Sequence, residues 1–319
     1  MSTWTRTTKA DPCPICGKNG WCTVSADKTT AKCMTIEQGA FKTAEDGSGL
    51  ASFHQLIDDD SWRDRPRVER KPTPKREPSA DIAKLARVAE RAVSDTMAQS
   101  LADDLGLTVA SLVRMGMGWV TADELHKHDT NCKGRGCWTF PMLDSIEQTI
   151  GVRLRSTDGF KYAINGSMQG IFVPRDLGKS GKPIVMITEG PTDCAAILDL
   201  GFDAIGRPSN TAGTDLIHRL IMTRTHDYDW REVVILIDRD KPGSDAAKNT
   251  WRGARTLADA LTSPRRSVRI CQPPKGINDA RDWLKQGARE DCVMGVIDAG
   301  EPINVGRCEW MQPKQGATQ

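Results

Sequence analysis

The spacing of apolar residues changes near residue 137, and this change predicts two kinds of structure. From Asp81 onward apolar positions recur every three or four residues, which predicts a helix capped by Asp81, and residues 101–120 predict a second, shorter helix. From Cys137 the apolar runs are short and separated by Gly, Asp and Asn, as expected of strands. These strands are predicted at residues 138–143, 150–155, 162–164 and 171–174.

After Lys182 the pattern changes again, because nearly continuous apolar runs alternate with helical stretches. Such runs are typical of parallel strands that are covered by helices on both faces of a sheet. The strands are predicted at 184–188, 204–205, 233–237 and 268–271, and the helices at 192–200, 214–222 and 244–261. The predicted fold class is therefore α/β, with a parallel sheet flanked by helices after a mixed α+β subdomain.

Composition narrows the class of protein. The chain has 319 residues, enough for two domains and a small appendage, and 44 Lys and Arg against 42 Asp and Glu give a formal net charge of +2. This balance excludes a uniformly basic nucleic-acid-binding protein. No apolar run reaches the ~18 residues of a membrane helix, and the first residues lack the apolar core of a signal peptide. We therefore expect a cytoplasmic protein without a membrane partner.

The composition also divides the chain into five parts. Residues 1–60 are rich in Cys, Gly and Thr, which favours a small metal-binding module. Residues 61–80 contain four prolines and an excess of Arg and Lys, which predicts an extended basic linker, either a spacer or a tether that touches phosphates. We assign 81–180 to a helical and basic β subdomain, 181–290 to a catalytic α/β domain and 291–319 to a C-terminal tail.

Four of the ten cysteines cluster near the start of the chain. In a reducing compartment, clustered cysteines indicate metal ligands. The stretch Cys13-Pro-Ile-Cys16-Gly is typical of a zinc knuckle. The residues between Cys22 and Cys33 predict a hairpin with its turn at 27–28, and this register places the two cysteines opposite each other on one face. The sequence therefore predicts a zinc ion held by four thiolates.

Acidic residues directly follow two of the predicted parallel strands. One strand continues into Glu189-Gly-Pro-Thr-Asp193, and the strand ending at Ile237 continues into Asp238-Arg-Asp240. The carboxyl ends of parallel strands meet at one sheet edge, where adjacent strands are ~5 Å apart and α/β proteins bind ligands. Carboxylate oxygens suit Mg²⁺. We therefore expect Glu189 to reach the same ions as the aspartate pair, rather than the acids serving only as helix caps and surface charges.

This arrangement resembles the TOPRIM domain, which bacterial-type primases share with topoisomerases and with recombination or nuclease proteins. The resemblance implies a TOPRIM parallel sheet in which Glu189, Asp238 and Asp240 are the catalytic acids and hold Mg²⁺. Asp193 lies where primases often have a further acid. Residues 274–283 resemble the stretch that closes the primase version, which implies that Asp279 is also a metal residue.

The segment before the predicted catalytic domain is similar to the basic subdomain of bacterial-type primases. It contains an Arg before Phe140-Pro141, a Gly-Val-Arg-Leu-Arg stretch at 151–155 and a Lys-Tyr pair followed by Asn. Arginines at alternate positions of a strand lie on one face. The resemblance implies that five residues contact template and nucleotide phosphates: Arg135, Arg153, Arg155, Lys161 and Asn165.

The N-terminal module is similar to the zinc ribbon of the same primases, which begins with Cys-Pro-x-His/Cys and ends with Cys-x-x-Cys. Ile36 stands where the family has its last cysteine, so the fourth zinc ligand is either Cys22, which we prefer, or His54. The resemblance implies that this module helps to bind single-stranded template. Trp21 either stacks on a base or is buried.

These resemblances, over residues 11–40 and 130–290, predict a DNA primase with an N-terminal zinc-binding domain, of the kind found on phages and mobile elements. It would synthesise short RNA primers on single-stranded DNA from ribonucleoside triphosphates, with Mg²⁺ or Mn²⁺ and Zn²⁺ as cofactors. The sequence contains no Gly-x-x-x-x-Gly-Lys-Ser/Thr motif, so the predicted helicase partner is a separate protein. The alternatives are a TOPRIM nuclease with the same acids and a non-catalytic replication protein that binds zinc and single strands.

Overall fold

The computed structural model describes residues 4–46, 49–56, 80–128, 136–224, 230–264, 266–300 and 302–303. The chain divides into two compact units, Met1–Lys75 and Arg76–Gln319. The basic linker predicted at 61–80 lies outside the described residues except for Ala80, which begins a helix.

The first unit contains an antiparallel sheet of five strands in the order β1-β2-β3-β5-β4. The strands are β1 (Trp4–Arg6), β2 (Thr23–Ser25), β3 (Thr30–Cys33), β4 (Lys42–Asp46) and β5 (Gly49–Gln55). Thr23 pairs with Lys32 in the β2–β3 hairpin, and continuing this register by one residue brings Cys22 opposite Cys33, as predicted. Lys28, in the turn, has a positive φ of 53°. The N-terminal cysteines are thus carried by a β-ribbon.

The second unit begins with α1 (Ala80–Arg91), α2 (Asp95–Leu105), α3 (Val109–Arg114) and α4 (Ala122–His128). The first three are shorter than the two helices that the apolar spacing predicts, and α4 was not predicted. The predicted second helix is interrupted because Gly106 takes a left-handed conformation (φ 66°) at the end of α2 and Thr108 caps α3. Ser94 caps α2 by accepting a hydrogen bond from the Met97 amide. Asp81 lies in the first turn of α1 rather than at its cap.

An antiparallel sheet follows in the order β6-β7-β8-β9. Its strands are β6 (Gly118–Val120), β7 (Cys137–Leu143), β8 (Thr149–Ser156) and β9 (Lys161–Ala163). In β8 the side chains of Val152 and Leu154 are buried, whereas Arg153 and Arg155 alternate with them and are partly exposed. The two arginines therefore share the face of the sheet that is opposite Val152 and Leu154.

The rest of the second unit is an α/β domain with the sheet order β11-β10-β12-β13-β14, parallel except for β14. Its strands are β10 (Ile184–Glu189), β11 (Asp203–Arg207), β12 (Glu232–Leu236), β13 (Ser267–Cys271) and β14 (Pro302–Ile303). Its helices are α5 (Gly190–Asp199), α6 (Thr214–Arg224), α7 (Asp245–Leu261), α8 (Ala280–Lys285) and α9 (Glu290–Ala299). The predicted α/β fold is confirmed.

Both faces of the parallel sheet are buried, which explains the continuous apolar runs. Met186 and Val234 face a core that includes residues of α2, α3, α5 and α9, whereas Val185 and Val233 face a core built with α6 and α7. Phe140 of the antiparallel sheet belongs to the first of these cores. One hydrophobic core therefore holds the antiparallel sheet against the parallel one.

Residues 171–174 do not form the predicted strand. Instead, two neighbouring residues each pair with a different sheet: Ile171 exchanges hydrogen bonds with Leu143 of β7 at 2.7 and 2.8 Å, and Phe172 exchanges them with Gly206 of β11 at 2.9 and 2.8 Å. Pro174 lacks an N–H group, so it cannot donate a further ladder hydrogen bond. The segment joins the two sheets.

The C-terminal part differs from the expected tail. Residues 290–299 form α9, which buries Val293 and Ile297 one turn apart, and Pro302–Ile303 pair with β13. These apolar residues at helical spacing extend the core beyond residue 290, and residues 304–319 lie outside the described part. In the described ranges the longest helix, α7, has 17 residues, and none is long and apolar enough to span a membrane.

The junction between the sheets gives a test of the fold. A Cβ on Gly206 would lie 2.6 Å from the carbonyl oxygen of Gly190, so we expect Gly206→Ala to lower the free energy of unfolding by about 1–3 kcal/mol. Gly295 is the matched control, because a Cβ on it meets nothing within 4 Å and alanine is favoured in a helix such as α9. Urea unfolding measures both variants, and equal stability would contradict the close packing at Gly206.

Candidate functional site

Acidic side chains from neighbouring elements meet in a cleft of the second unit with a volume of about 180 Å³. Glu189 is the last residue of β10, and Asp238 follows β12, the strand next to it. The register that pairs Ile187 with Ile235 brings Glu189 level with Ile237, one residue before Asp238. Four acids line this cleft: Glu189, Asp193, Asp238 and Asp279.

The antiparallel sheet provides cations to the same cleft. Arg153 and Arg155 of β8 and Lys161 of β9 are among its lining residues. The β8–β9 pairing places Arg155 directly opposite Lys161, an arrangement of like charges that is unfavourable unless an anion lies between them. Arg153 donates a hydrogen bond to the carbonyl of Pro208 at 2.9 Å. Among the described residues, none of these cations forms an ion pair with a carboxylate, which leaves their charge available to a ligand.

Among the acids of this site, the pKa of Asp238 is raised strongly. Burial raises its pKa, and four neighbouring acids add to the effect, so that the pKa reaches about 8. These neighbours are Asp193, Glu189, Asp279 and Asp240. Burial is the larger cause, and the contribution of the four acids reflects the negative charge gathered at this sheet edge. A bound cation would compensate that charge.

Glu189 lies beside a buried arginine that the sequence did not single out. Burial raises the pKa of Glu189, whereas the charge of Arg207 acts in the opposite direction. The register of β10 and β11 pairs these two residues directly. Arg207 is 3% exposed and its Nε donates to the carbonyl of Ala212 at 3.1 Å. Arg207 therefore supports the ionised form of Glu189 from inside the sheet.

Asp240 is oriented by a short hydrogen-bond chain. Asn210 donates to the hydroxyl of Thr250 at 3.0 Å, and that hydroxyl donates to a carboxylate oxygen of Asp240 at 2.8 Å. Thr250 is buried on α7, so the chain is anchored in the core. Asp240 and Asp238 also line a second pocket of about 460 Å³, together with Trp251 and Gln272. Asp238 thus lines both cavities, whereas Asp240 lines the second one.

Asp193 and Asp279 are both bonded to Arg281. The guanidinium Nε lies 3.2 Å from an oxygen of Asp193, and one terminal nitrogen lies 3.0 Å from an oxygen of Asp279. Asp279 also caps α8 by accepting a hydrogen bond from the Asp282 amide at 2.8 Å. These two acids, which the resemblance implies as metal residues, are therefore engaged within the protein.

The charge of the remaining three acids suits a hard divalent cation, but the distances between their oxygens limit how many of them can bind it directly. Asp238 is surrounded by four other acids, among them Glu189 and Asp240, which together with burial raise its pKa. Yet among the described residues no three carboxylates bring oxygens within 4.8 Å of one another, since only the N-terminal cysteines form such a group. Mg²⁺ uses one or two protein carboxylates and takes its other ligands from water and phosphates. The acids therefore fit Mg²⁺ or Mn²⁺ shared with a substrate.

In the first unit, the sulfur atoms of Cys13, Cys16, Cys22 and Cys33 all lie within 4.8 Å of one another. The knuckle closes where Gly17, with a φ of 69°, donates to the Cys13 carbonyl at 2.8 Å. Three of the four cysteines are buried. This is the four-cysteine arrangement of a structural zinc site, carried by the predicted small ribbon.

Backbone hydrogen bonds and burial change the pKa of these thiols in opposite directions. The amides of Met34 and Ile36 donate to the sulfurs of Cys22 and Cys33 at 3.4 and 3.3 Å. Burial raises the pKa of Cys22 to about 12, whereas at Cys16 burial is outweighed by hydrogen bonds from the Lys18 backbone and from neighbouring cysteines, which lower the pKa to about 7. Four thiolates so close together need a cation, so the residues present fit Zn²⁺.

His54 and Trp21 have clear positions in the first unit. His54 is buried in β5, and its Nε2 is hydrogen-bonded to the Ile36 carbonyl at 2.8 Å, so it lies outside the converging group of sulfurs. Trp21 is 72% exposed and is not buried in the core. Of the two ligand sets considered from the sequence, the structure brings together the one that contains Cys22.

The other two predicted phosphate contacts are not among the lining residues of the described cleft. Arg135 falls outside the described residues, and Asn165, exposed in the turn after β9, is not among the residues that line the described cleft. Three further residues, Arg207, Thr250 and Arg281, hold the acids in place and were not predicted. Of these three residues, only Arg281 had a signal in the sequence, because it lies two residues after the predicted metal residue Asp279.

No protein-family model matches the chain, and no curated protein matches it. Solved structures do match in fold. The DnaG catalytic core matches with a TM-score of 0.50 at 16% identity, covering 69% of this chain and 79% of that chain. The DnaG primase catalytic domain bound to ssDNA matches with a TM-score of 0.50 at 16% identity, covering 69% and 78%. The E. coli primase catalytic core matches with a TM-score of 0.49 at 17% identity, covering 69% and 79%.

The two matches with a TM-score of 0.50 establish the fold. The chain has the α/β fold of bacterial DnaG primase catalytic cores, and a cysteine cluster suited to zinc lies near its N-terminus.

The cysteine cluster leads to a test of the fourth zinc ligand. We expect Cys22→Ser to lower the zinc content of the purified chain well below one ion, because it removes one of the four converging sulfurs. His54→Gln should keep one zinc ion per chain, since the ring is bonded to a backbone carbonyl. Elemental analysis after dialysis measures both. Cys292→Ser, at an exposed position on α9, is the control for general loss of a thiol.

Proposed function

We propose that this chain is a DNA primase that synthesises short RNA primers on single-stranded DNA by metal-dependent nucleotidyl transfer. One observation carries the proposal: acids at the ends of β10 and β12 face the cations of β8 and β9 across one cleft. Such a cleft suits a reaction in which a triphosphate, which is highly anionic, must be held beside a metal ion. The DnaG-like fold supports the same interpretation.

Glu189, Asp238 and Asp240 would hold the divalent cation. When bound, Mg²⁺ or Mn²⁺ would neutralise triphosphate charge and activate the primer 3′-hydroxyl for in-line attack. Neighbouring side chains of the protein orient these acids, because Thr250 fixes one oxygen of Asp240 and Arg207 favours the ionised form of Glu189. Both supports come from buried residues, so the acids are held before any substrate arrives.

Arg153, Arg155 and Lys161 would bind phosphates of the nucleotide and the template. Arg155 and Lys161 lie opposite each other on adjacent strands, which gives two positive charges directed at one anion. Burial lowers the pKa of Arg153 and of Arg155, yet a guanidinium stays protonated in proteins. The first turn of α5, with residues 190–193, also lines the cleft and adds the positive end of a helix dipole.

The zinc module would contribute to template binding. Its exposed Trp21 offers a flat apolar surface, and stacking of a base on an aromatic side chain contributes about 1–3 kcal/mol. The hydrophobic cluster of this ribbon is small, since it consists of the four cysteines and a few apolar neighbours. A zinc ion bound by the cysteines would therefore stabilise the ribbon. We further propose that the chain comes from a phage or a mobile element. Its partner would be a replicative helicase that is a separate protein.

The direct test is incubation of the full chain with single-stranded DNA, labelled ribonucleotides and Mg²⁺ or Mn²⁺. Short labelled oligomers that depend on template and metal support a primase. Cleavage of the DNA without labelled product would instead identify a nuclease that uses the same acids. Normal DNA binding with neither product would identify a non-catalytic binding protein.

Removal of one acid tests the metal assignment. We expect Asp238→Asn to reduce primer synthesis by roughly 100-fold or more, because a metal ligand matters at least as much as the groups that orient one. Asp245→Asn is the control, since this residue is highly exposed at the start of α7 and lies outside the cleft. Primer yield per minute measures both variants. Synthesis by Asp238→Asn at the rate of the unmodified chain would show that the metal assignment is wrong.

Removal of one cation separates a primase from a nuclease. We expect Lys161→Ala to raise the KM for ribonucleotides and to lower primer yield about tenfold, because one of the two charges opposite each other on β8 and β9 is lost. A nuclease, which needs no ribonucleotide clamp, should retain its activity. Lys179→Ala, exposed and outside the cleft, is the matched control.

A further inference from the structure

Arg281 lies between Asp193 and Asp279, at the position where a metal ion bound by these two acids would lie. It is the second residue of α8, and its guanidinium bridges Asp279, at the cap of the same helix, and Asp193, in the first turn of α5. The two contacts measure 3.0 and 3.2 Å. The side chains are 16% exposed for Arg281, 11% for Asp279 and 8% for Asp193, so the bridge is nearly shielded from water.

The bridge engages one carboxylate oxygen of each acid. One oxygen of Asp279 binds the guanidinium and the other accepts the Asp282 amide, so both have partners within the protein. One oxygen of Asp193 binds the guanidinium as well. A guanidinium cannot lose its proton to make way for a metal ion, and separating a buried ion pair leaves uncompensated charge. A divalent cation would therefore have to displace a permanent positive charge to reach either acid.

We infer that Arg281 is a resident cation of the acidic cleft, so that Asp193 and Asp279 are not metal ligands and the cleft binds a single divalent cation at Glu189, Asp238 and Asp240. This inference rests on the proposed divalent-cation site. It divides the five acids into two sets, one neutralised by the protein and one left for a metal ion. Arg281 thereby acts as a positioning residue, since it fixes α8 against α5 beside the metal-binding set.

The experiment counts Mn²⁺ ions on the full, zinc-loaded chain by electron paramagnetic resonance, in the absence of nucleotide and DNA. The unmodified chain should bind one Mn²⁺ in the cleft. Arg281→Gln should bind a second, because Asp193 and Asp279 lose their cation. The double variant Arg281→Gln with Asp193→Asn should return to one ion, and Arg281→Lys, which keeps a positive charge, should also bind one.

A second measurement leaves the arginine in place. We expect Asp193→Asn and Asp279→Asn to change the Mn²⁺ dissociation constant by less than about twofold, and Asp238→Asn to raise it about tenfold or more. Asparagine caps a helix as well as aspartate does, so Asp279→Asn keeps the start of α8 intact. Thermal unfolding monitored by circular dichroism identifies any variant that has lost its fold.

Three results would overturn the inference: two Mn²⁺ ions on the unmodified chain, one ion on a folded Arg281→Gln variant, or an Asp279→Asn dissociation constant raised as far as that of Asp238→Asn. The primase proposal fails separately. If no primers form although Mn²⁺ binds as described, the reaction proposed for the cleft is wrong. The number of bound Mn²⁺ ions would still support the inference that Arg281 is the resident cation between Asp193 and Asp279.

Discussion

Negative charge concentrated at the carboxyl edge of the parallel sheet is the constraint on which the second unit depends. Adjacent strands β10 and β12 end in acids, and burial together with neighbouring carboxylates raises the pKa of Asp238 to about 8. The protein balances part of this charge itself, through Arg207 beside Glu189 and through Arg281 between two further acids. The other part faces the cations of β8 and β9 across the cleft. The site is thus organised by charge that the protein compensates only in part.

The sequence predicts the parts of the site that follow from the positions of strand ends. Glu189 and Asp238 lie where they do because β10 and β12 are adjacent, and the apolar runs of both strands are visible in the sequence. Alternation within β8 likewise predicts that Arg153 and Arg155 share a face. Arg281 could not be predicted in this way, because its bond to Asp193 joins residues 88 positions apart through the packing of α8 on α5. Periodicity describes one element at a time and does not show which helices approach each other.

The departures from the predicted elements have local causes. The two helices predicted from residue 81 onward and over residues 101–120 are divided by caps at Ser94 and Thr108 and by a left-handed Gly106, which periodicity alone ignores. Residues 171–174 have the composition of a strand, yet Ile171 and Phe172 pair with different sheets, so no ladder extends. In the first unit, by contrast, the hairpin register predicted from the turn at 27–28 is the observed one, since a tight turn fixes pairing.

The cysteine cluster also bears on the redox chemistry of the protein. Hydrogen bonds lower the pKa of Cys16 to about 7, which favours its thiolate form, and its sulfur lies 3.7 Å from that of Cys22. Thiolates are the form of cysteine that oxidants attack, and a sulfenic acid condenses with a nearby thiol. Oxidation of these two sulfurs would therefore compete with zinc binding at the same site.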